Sequence, residues 1–147
     1  MKQDKGLRQR ALECLARREY TRAELARKLA PHAAGPDEIE ALLEEFAARG
    51  WLSEGRFAEQ LVASRRGRFG SLRIAHELRE RGVPDDVVDT LLPGLEDEDL
   101  QVARDIWRQK FGKRPGTAAE RAKQARFLQG RGFSAEVIRR LLRFDED

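Results

Sequence analysis

Apolar residues recur at helical spacing from Leu7 to Leu142, interrupted only by short polar or Gly/Pro segments. Over Leu7–Arg18 the stripe is Leu7, Ala11, Leu12, Cys14 and Leu15. Tyr20-Thr21-Arg22-Ala23-Glu24-Leu25 reads as a complete helix start, with Thr21 as cap, Glu24 closing a capping box and Tyr20 placed to staple onto Leu25. This second helix is predicted to end near Pro31. Pro36 opens a third, with Ile39, Leu42, Leu43 and Phe46 inward and Gly50 as its stop.

The same three-helix pattern returns twice. Ser53 caps a helix carrying Phe57, Leu61 and Val62, Gly67 ends it, and Phe69-Gly70-Ser71 matches Tyr20-Thr21-Arg22, which sets Phe69 to staple onto Ile74. Pro84 then opens a helix with Val87, Val88, Leu91 and Leu92 inward. The third round is Leu100–Phe111, Thr117–Gly130 with a second capping box at Thr117 and Glu120, and Ser134–Arg143. Pro93-Gly94-Leu95, followed by an acidic run, is expected to be a hinge. Asp145-Glu146-Asp147 is expected to fray.

One string states the repetition outright. Leu78–Leu92 and Leu128–Leu142 share Leu-x-x-Arg-Gly-x-x-x-x-Val-x-x-x-Leu-Leu, fifty residues apart, and Leu29–Leu43 is a looser copy. Such a period marks supersecondary units too small to bury their own apolar faces alone. The predicted fold is all-α: three tandem three-helix repeats, helix-turn-helix-like, over 7–52, 53–94 and 98–143, in an elongated, curved array.

Composition agrees, since Ala, Leu, Glu and Arg dominate the 147 residues and β-branched residues are few. No apolar run approaches the roughly 18 residues of a membrane span, and the polar start Met1–Lys5 has no signal-peptide core behind it, so the cytoplasm is the expected compartment. The net charge of +3 is unevenly spread. Twelve Lys or Arg residues lie between Arg104 and Arg143, against three acids, whereas 82–103 has seven acids and no base. Segregation on this scale suits steering onto a charged partner.

Catalytic constellations are missing. His32 and His76 fall in different repeats without ligand spacing, the lone Cys14 sits on an apolar stripe, and no Gly-rich loop precedes a Lys-Ser/Thr pair. Trp51 and Trp107 lie on apolar stripes and are expected in the core. No enzyme, metal or cofactor is predicted. A three-helix unit with tight turns also raises DNA reading. Yet the helices that would enter a groove carry Asp37, Glu38, Glu40, Glu44 and Glu45, or Asp85, Asp86 and Asp89, and phosphates would repel them.

The string Gly50-Trp51-Leu52-Ser53-Glu54-Gly55-Arg56-Phe57-Ala58-Glu59, then Ser64-Arg65-Arg66-Gly67-Arg68-Phe69-Gly70, Arg73-Ile74, Glu77-Leu78 and Arg81-Gly82-Val83, resembles the RecX family. Arg18–Leu25 resembles that family's first module, and Arg131-Gly132-Phe133 with Val137-Ile138 its last. Ser53 stands where Asp is common, Trp51 where Tyr is usual, and the loop at 31–34 is slightly long. The resemblance implies a regulator that binds filaments of the recombinase RecA and inhibits or modulates their growth, strand exchange and ATP hydrolysis; separately, a monomer is expected. The alternative is a general, non-sequence-specific DNA-binding module with weak single- or double-strand affinity. The expected contact face is a basic edge of the second repeat, Arg56, Arg65, Arg66, Arg68, Arg73 and Arg79, with Arg121, Lys123, Arg126, Arg139 and Arg140 of the third beside it. Replacing Arg65, Arg66 and Arg68 with Ala is expected to weaken RecA inhibition and leave helicity intact.

Overall fold

A computed structural model describes residues 6–143. The polar start and the acidic tail of the sequence reading lie outside the described residues. Eight α-helices follow one another: α1 (Leu7–Arg17), α2 (Arg22–Leu29), α3 (Pro36–Ala48), α4 (Glu54–Arg65), α5 (Ser71–Glu80), α6 (Asp85–Lys110), α7 (Ala118–Gly130) and α8 (Ala135–Leu141), with a 3₁₀ turn at Ala30–His32. None of the described helices is long and apolar enough to cross a membrane.

Three apolar clusters sit in line along the chain. Leu25, Leu29, Leu43 and Phe46 centre the first, Ile74, Leu78 and Val88 the second, and Leu128, Phe133, Ile138 and Leu142 the third. The shared string builds the last two in the same way. Leu78 and Leu128 are fully buried, and Val83 and Phe133 follow the turn inward. The deeper member of each aliphatic pair is Val88 or Ile138, while Val87 and Val137 are only half-buried.

Local signals act largely as expected. Thr21 and Glu24 form a full capping box, and Ser53 and Ser134 each accept a backbone N–H as N-cap. At α7 the box stays half closed: Thr117 caps the Glu120 N–H, but the Glu120 carboxylate takes the Gly116 N–H at 2.6 Å.

Two expectations are corrected. The hinge at Pro93-Gly94-Leu95 does not exist, because α6 runs unbroken through it and joins the second repeat to the third. Pro93 removes the bond to the Asp89 carbonyl, but Asp89, Pro93 and Gly94 are all exposed, so water can serve that carbonyl. Leu95 and Asp99, one turn apart on the opposite side, are buried and hold the helix down. Trp51 is the second correction. It is 40 % exposed, tilted against Phe46 at 5.4 Å, with the Arg49 guanidinium 5.0 Å and the Arg8 guanidinium 5.9 Å from its ring. It follows the end of α3 and therefore leaves the stripe that its spacing suggested. Trp107 is buried as expected and donates its indole N–H to Gln124 Oε1 at 2.8 Å.

The repeats meet through two joints of the same design. After α5, Gly82 (φ +94°) ends the helix in a Schellman turn, with Gly82 N–H to Arg79 O and Val83 N–H to Leu78 O, both 3.0 Å. After α7, Gly132 (φ +96°) does the same onto Gln129 and Leu128. Each turn docks on the N-terminus of the preceding repeat's second helix. At the first joint Thr21 Oγ1 donates to Arg81 O at 2.6 Å. At the second, the N–H groups of Gly70 and Leu72 donate to Arg131 O (2.8 Å) and Gly132 O (3.1 Å).

A carboxylate completes each joint. It comes from the later repeat's first helix and takes an otherwise open N–H: Arg22 N–H to Glu54 Oε1 at 2.6 Å, and Ser71 N–H to Asp99 Oδ1 at 3.0 Å. Asp99 is 2 % exposed and also accepts from the Ser71 hydroxyl and from Arg66 at 2.9 Å. Burial raises the Glu54 carboxyl above its ordinary range, eased by the Arg22 N–H, and its Oε2 is buried without a hydrogen-bond partner.

These joints leave no room for side chains. A Cβ on Gly132 would lie 2.4 Å from Arg73 Cβ, one on Gly82 2.5 Å from Ala23 Cβ, and one on Gly70 2.5 Å from Gly132 O. Gly132→Ala should therefore lose roughly 2–3 kcal/mol in urea titrations, through positive φ and collision together. Gly94→Ala, in open space inside α6, should gain about 0.5–1 kcal/mol. Glu54 makes a prediction of defined sign. A raised carboxyl binds more protons folded than unfolded, so its contribution is present below the ordinary carboxylate range and lost as pH rises through the raised value. Urea midpoints across that window should fall for wild type relative to Glu54→Gln, with parallel curves on either side.

Candidate basic interface

The expected site residues divide into two groups when their partners are known. Three belong to the architecture. Arg56 donates to Glu19 at 2.8 Å and to Gly50 O at 2.7 Å, tying α4 to the end of the first repeat. Arg65 grips Glu77 with two bonds of 2.9 Å, and that guanidinium, with Arg81 beside it, holds the Glu77 carboxyl below its usual range. Arg66 is largely buried, bonded to Asp99 and to Leu95 O, with Glu98 at 3.6 Å. Arg79 adds a looser exposed pair with Asp85 at 3.5 Å.

The charges expected as a basic edge from Arg56 to Arg79 therefore do not all stand free. Arg56, Arg65, Arg66 and Arg79 sit within reach of carboxylates from other segments, whereas Arg68 and Arg73 do not. Replacing Arg65, Arg66 and Arg68 together would take from Asp99 its guanidinium partner and from Glu77 its two-bond partner, leaving them Ser71 and Arg81, and so would load the second joint as well as the surface. Breaking a buried pair from one side costs about 3–5 kcal/mol.

The second group lies at and beyond the second joint. Phe69 is the hub of one cluster, with the guanidinium carbons of Arg73 at 4.0 Å and of Arg68 and Arg131 at 5.5 Å from its ring. Arg131 also lies 5.1 Å from the Phe127 ring, which Lys110 approaches to 5.5 Å. Arg68, Lys110, Arg131 and Phe127 line one shallow hollow, and Lys113, Lys123 and Phe111 a second, which also holds the Glu120 carboxylate bonded to the Gly116 N–H. The edge-to-face pair Phe111–Phe127, 5.4 Å between centroids, connects them.

A continuous basic strip results, running from the end of α4 along one face of α7. Arg121 lies on the opposite face of α7, toward Arg139 across a groove, and both are exposed. Arg126 and Arg140 are exposed as well. Among the described residues, no carboxylate pairs with Arg68, Arg73, Arg121, Lys123, Arg126, Arg139 or Arg140.

Lys110, Lys113 and Arg131 were missed as site residues. Arg131 is the Arg of the repeated Arg-Gly, so its place in the string was a usable signal. Lys110 and Lys113 flank the end of α6, and only the packing of that end against α7 brings them to the strip. Apart from Glu120 in the second hollow, exposed acidic residues gather on α3 (Asp37, Glu38, Glu40, Glu44) and at the start of α6 (Asp85, Asp86, Asp89). His76 faces Glu80 at 2.9 Å, and no group of three potential metal ligands occurs among the described residues.

Comparisons with known proteins place this architecture. Three family models match in sequence order: the first three-helix domain of RecX over residues 8–46, the second over 53–92 and the third over 96–142. The regulatory protein RecX of Chromobacterium violaceum is 52 % identical over 138 residues, spanning 94 % of this chain and 90 % of that protein. Its counterpart in Neisseria meningitidis serogroup C is 42 % identical over 143 residues, spanning 97 % and 93 %. The crystal structure of RecX from Lactobacillus salivarius superposes with a TM-score of 0.81 at 18 % identity, over 92 % of each chain. The fold is therefore retained where most side chains have changed. With all three domains matched in order and close relatives along nearly its whole length, this chain belongs to the RecX family of regulatory proteins and is not an enzyme.

Proposed function

We propose that this chain binds filaments of the recombinase RecA, as a monomer in the cytoplasm, and restrains their growth, strand exchange and ATP hydrolysis during recombination and DNA repair. Family membership over the full array carries this reading. The contact face is the strip of cations led by Arg68, Lys110, Lys123 and Arg131, with Arg73 beside it; Arg121, Arg126, Arg139 and Arg140 are a second cationic surface of the third repeat, of which Arg121 and Arg139 lie across α7 from the strip. Unpaired cations on a rigid joint are available to a partner's carboxylates and, in a filament, to nearby phosphates.

Plain DNA binding is a second reading, favoured by the same strip. The exposed acids of α3 and early α6 stand against reading of duplex sequence, because those helices would have to enter the groove. One assay separates the two. RecA ATP hydrolysis on single-stranded DNA is followed while this chain is titrated, beside a DNA-only binding curve. Filament regulation predicts loss of hydrolysis well below the concentration at which the chain saturates bare DNA. Loss only at saturation would make the chain a competitor for the lattice. Replacing Arg68, Lys110 and Lys123 with Ala should raise the half-inhibiting concentration by about a hundredfold, at about 1 kcal/mol per interfacial cation, with unchanged circular dichroism. Unchanged inhibition would remove the strip from the interface.

A further inference from the structure

On the far side of α7 from the basic strip, α5, α7 and α8 enclose a groove of about 960 Å³ at the second joint. Its walls are Leu72 of α5, Ala118, Ala122 and Ala125 of α7, Ile138 of α8 and the Leu142 that ends it. Leu72 projects from the N-terminus of α5 and is 52 % exposed, although its backbone is locked into the joint by the bond to Gly132 O. One exposed leucine would mean little, but here Leu72 continues into Ala118, Ala122, Ala125 and Ile138, and a contiguous apolar surface with a polar rim marks a site for a partner.

The rim carries the second half of the recognition. Arg73, Arg121 and Arg139 line it, and among the described residues no Asp or Glu does. An occupant must therefore present apolar side chains to the floor and negative charge to the edges. The walls are helices, with no sheet edge to extend, and a helix laid in the groove would alternate those two faces at the right spacing. Nucleic acid fits less well. Of the two rings in the lining, Phe133 is 1 % exposed and offers no face for a base, while the exposed His76 imidazole is held at 2.9 Å by Glu80, whose carboxylate repels phosphates; phosphates alone would also leave the apolar floor in water.

We infer that this groove binds an acidic amphipathic helix of a partner protein, with Leu72, Ala122 and Ile138 receiving its apolar face and Arg73, Arg121 and Arg139 pairing with its carboxylates. The test uses the full-length chain and three labelled probes. They are a synthetic helix with Leu at i, i+3, i+4 and i+7 positions and Glu elsewhere, the same peptide with every Leu replaced by Ser, and an oligo-dT single strand.

Fluorescence anisotropy should show micromolar binding of the Leu/Glu helix. The Ser version should bind roughly tenfold or more weakly, since little apolar area is then buried. Ala122→Glu, at an exposed position, should weaken the Leu/Glu helix by a similar factor with unchanged circular dichroism, and so should Arg121→Glu with Arg139→Glu. Equal binding of all three probes would overturn the inference in favour of an undifferentiated basic surface. Binding unaffected by either variant would place the peptide elsewhere. A dimer in light scattering that Ala122→Glu converts to monomer would assign the groove to a second copy of the chain. RecA is absent from these measurements, so their outcome is independent of the filament reading.

Discussion

Two close approaches between successive repeats hold this array together, and the surface it offers depends on them. At each joint a glycine turn from one repeat sits against the first turn of a helix in the repeat before it, while a carboxylate closes a remaining N–H. The start of a helix has unpaired donors and a partial positive charge, so it attracts carbonyl oxygens and carboxylates at short range. Methyl-sized substituents at Gly70, Gly82 or Gly132 would hold the pieces apart before those bonds could form. In the first repeat the corresponding loop at 30–35 lacks the Arg-Gly pair.

The joints also account for the buried polar residues. Thr21, Ser71 and Asp99 are nearly inaccessible, and each bonds backbone or side chain across a repeat boundary; the fourth, Gln124, serves Trp107 and the Lys113 carbonyl. The repeats are therefore set relative to one another by directional bonds. Apolar packing within each repeat is less selective about such angles. The continuous α6 adds a covalent strut between the second and third repeats, which fixes the basic strip on one side of α7 and the apolar groove on the other.

Arginine has two occupations in this molecule. Arg56, Arg65 and Arg66 use the planar fork to bind carboxylates and carbonyls from elements otherwise far apart in the chain. Arg68, Arg73 and Arg131 lie over aromatic rings, which orient their charge without neutralising it. The first use builds the array, and the second leaves positive charge at its surface for a partner.

Local periodicity and capping chemistry, carried by residues within a few positions of one another, determined the all-α class and the three rounds of helix, and the repeated string showed that those rounds are equivalent. Those signals are short-range, so they are legible without a structure. Tertiary structure alone decided which cations are free, because the partner of Arg66 is 33 residues away, that of Arg56 37, and that of Thr21 60. It decided the fate of Pro93-Gly94 too: a breaker-like pair stays helical when its open carbonyl faces water and the buried Leu95 and Asp99 anchor the other side. Trp51 left its predicted stripe for the same kind of reason, since its position depends on where α3 ends and on arginines that fold against it.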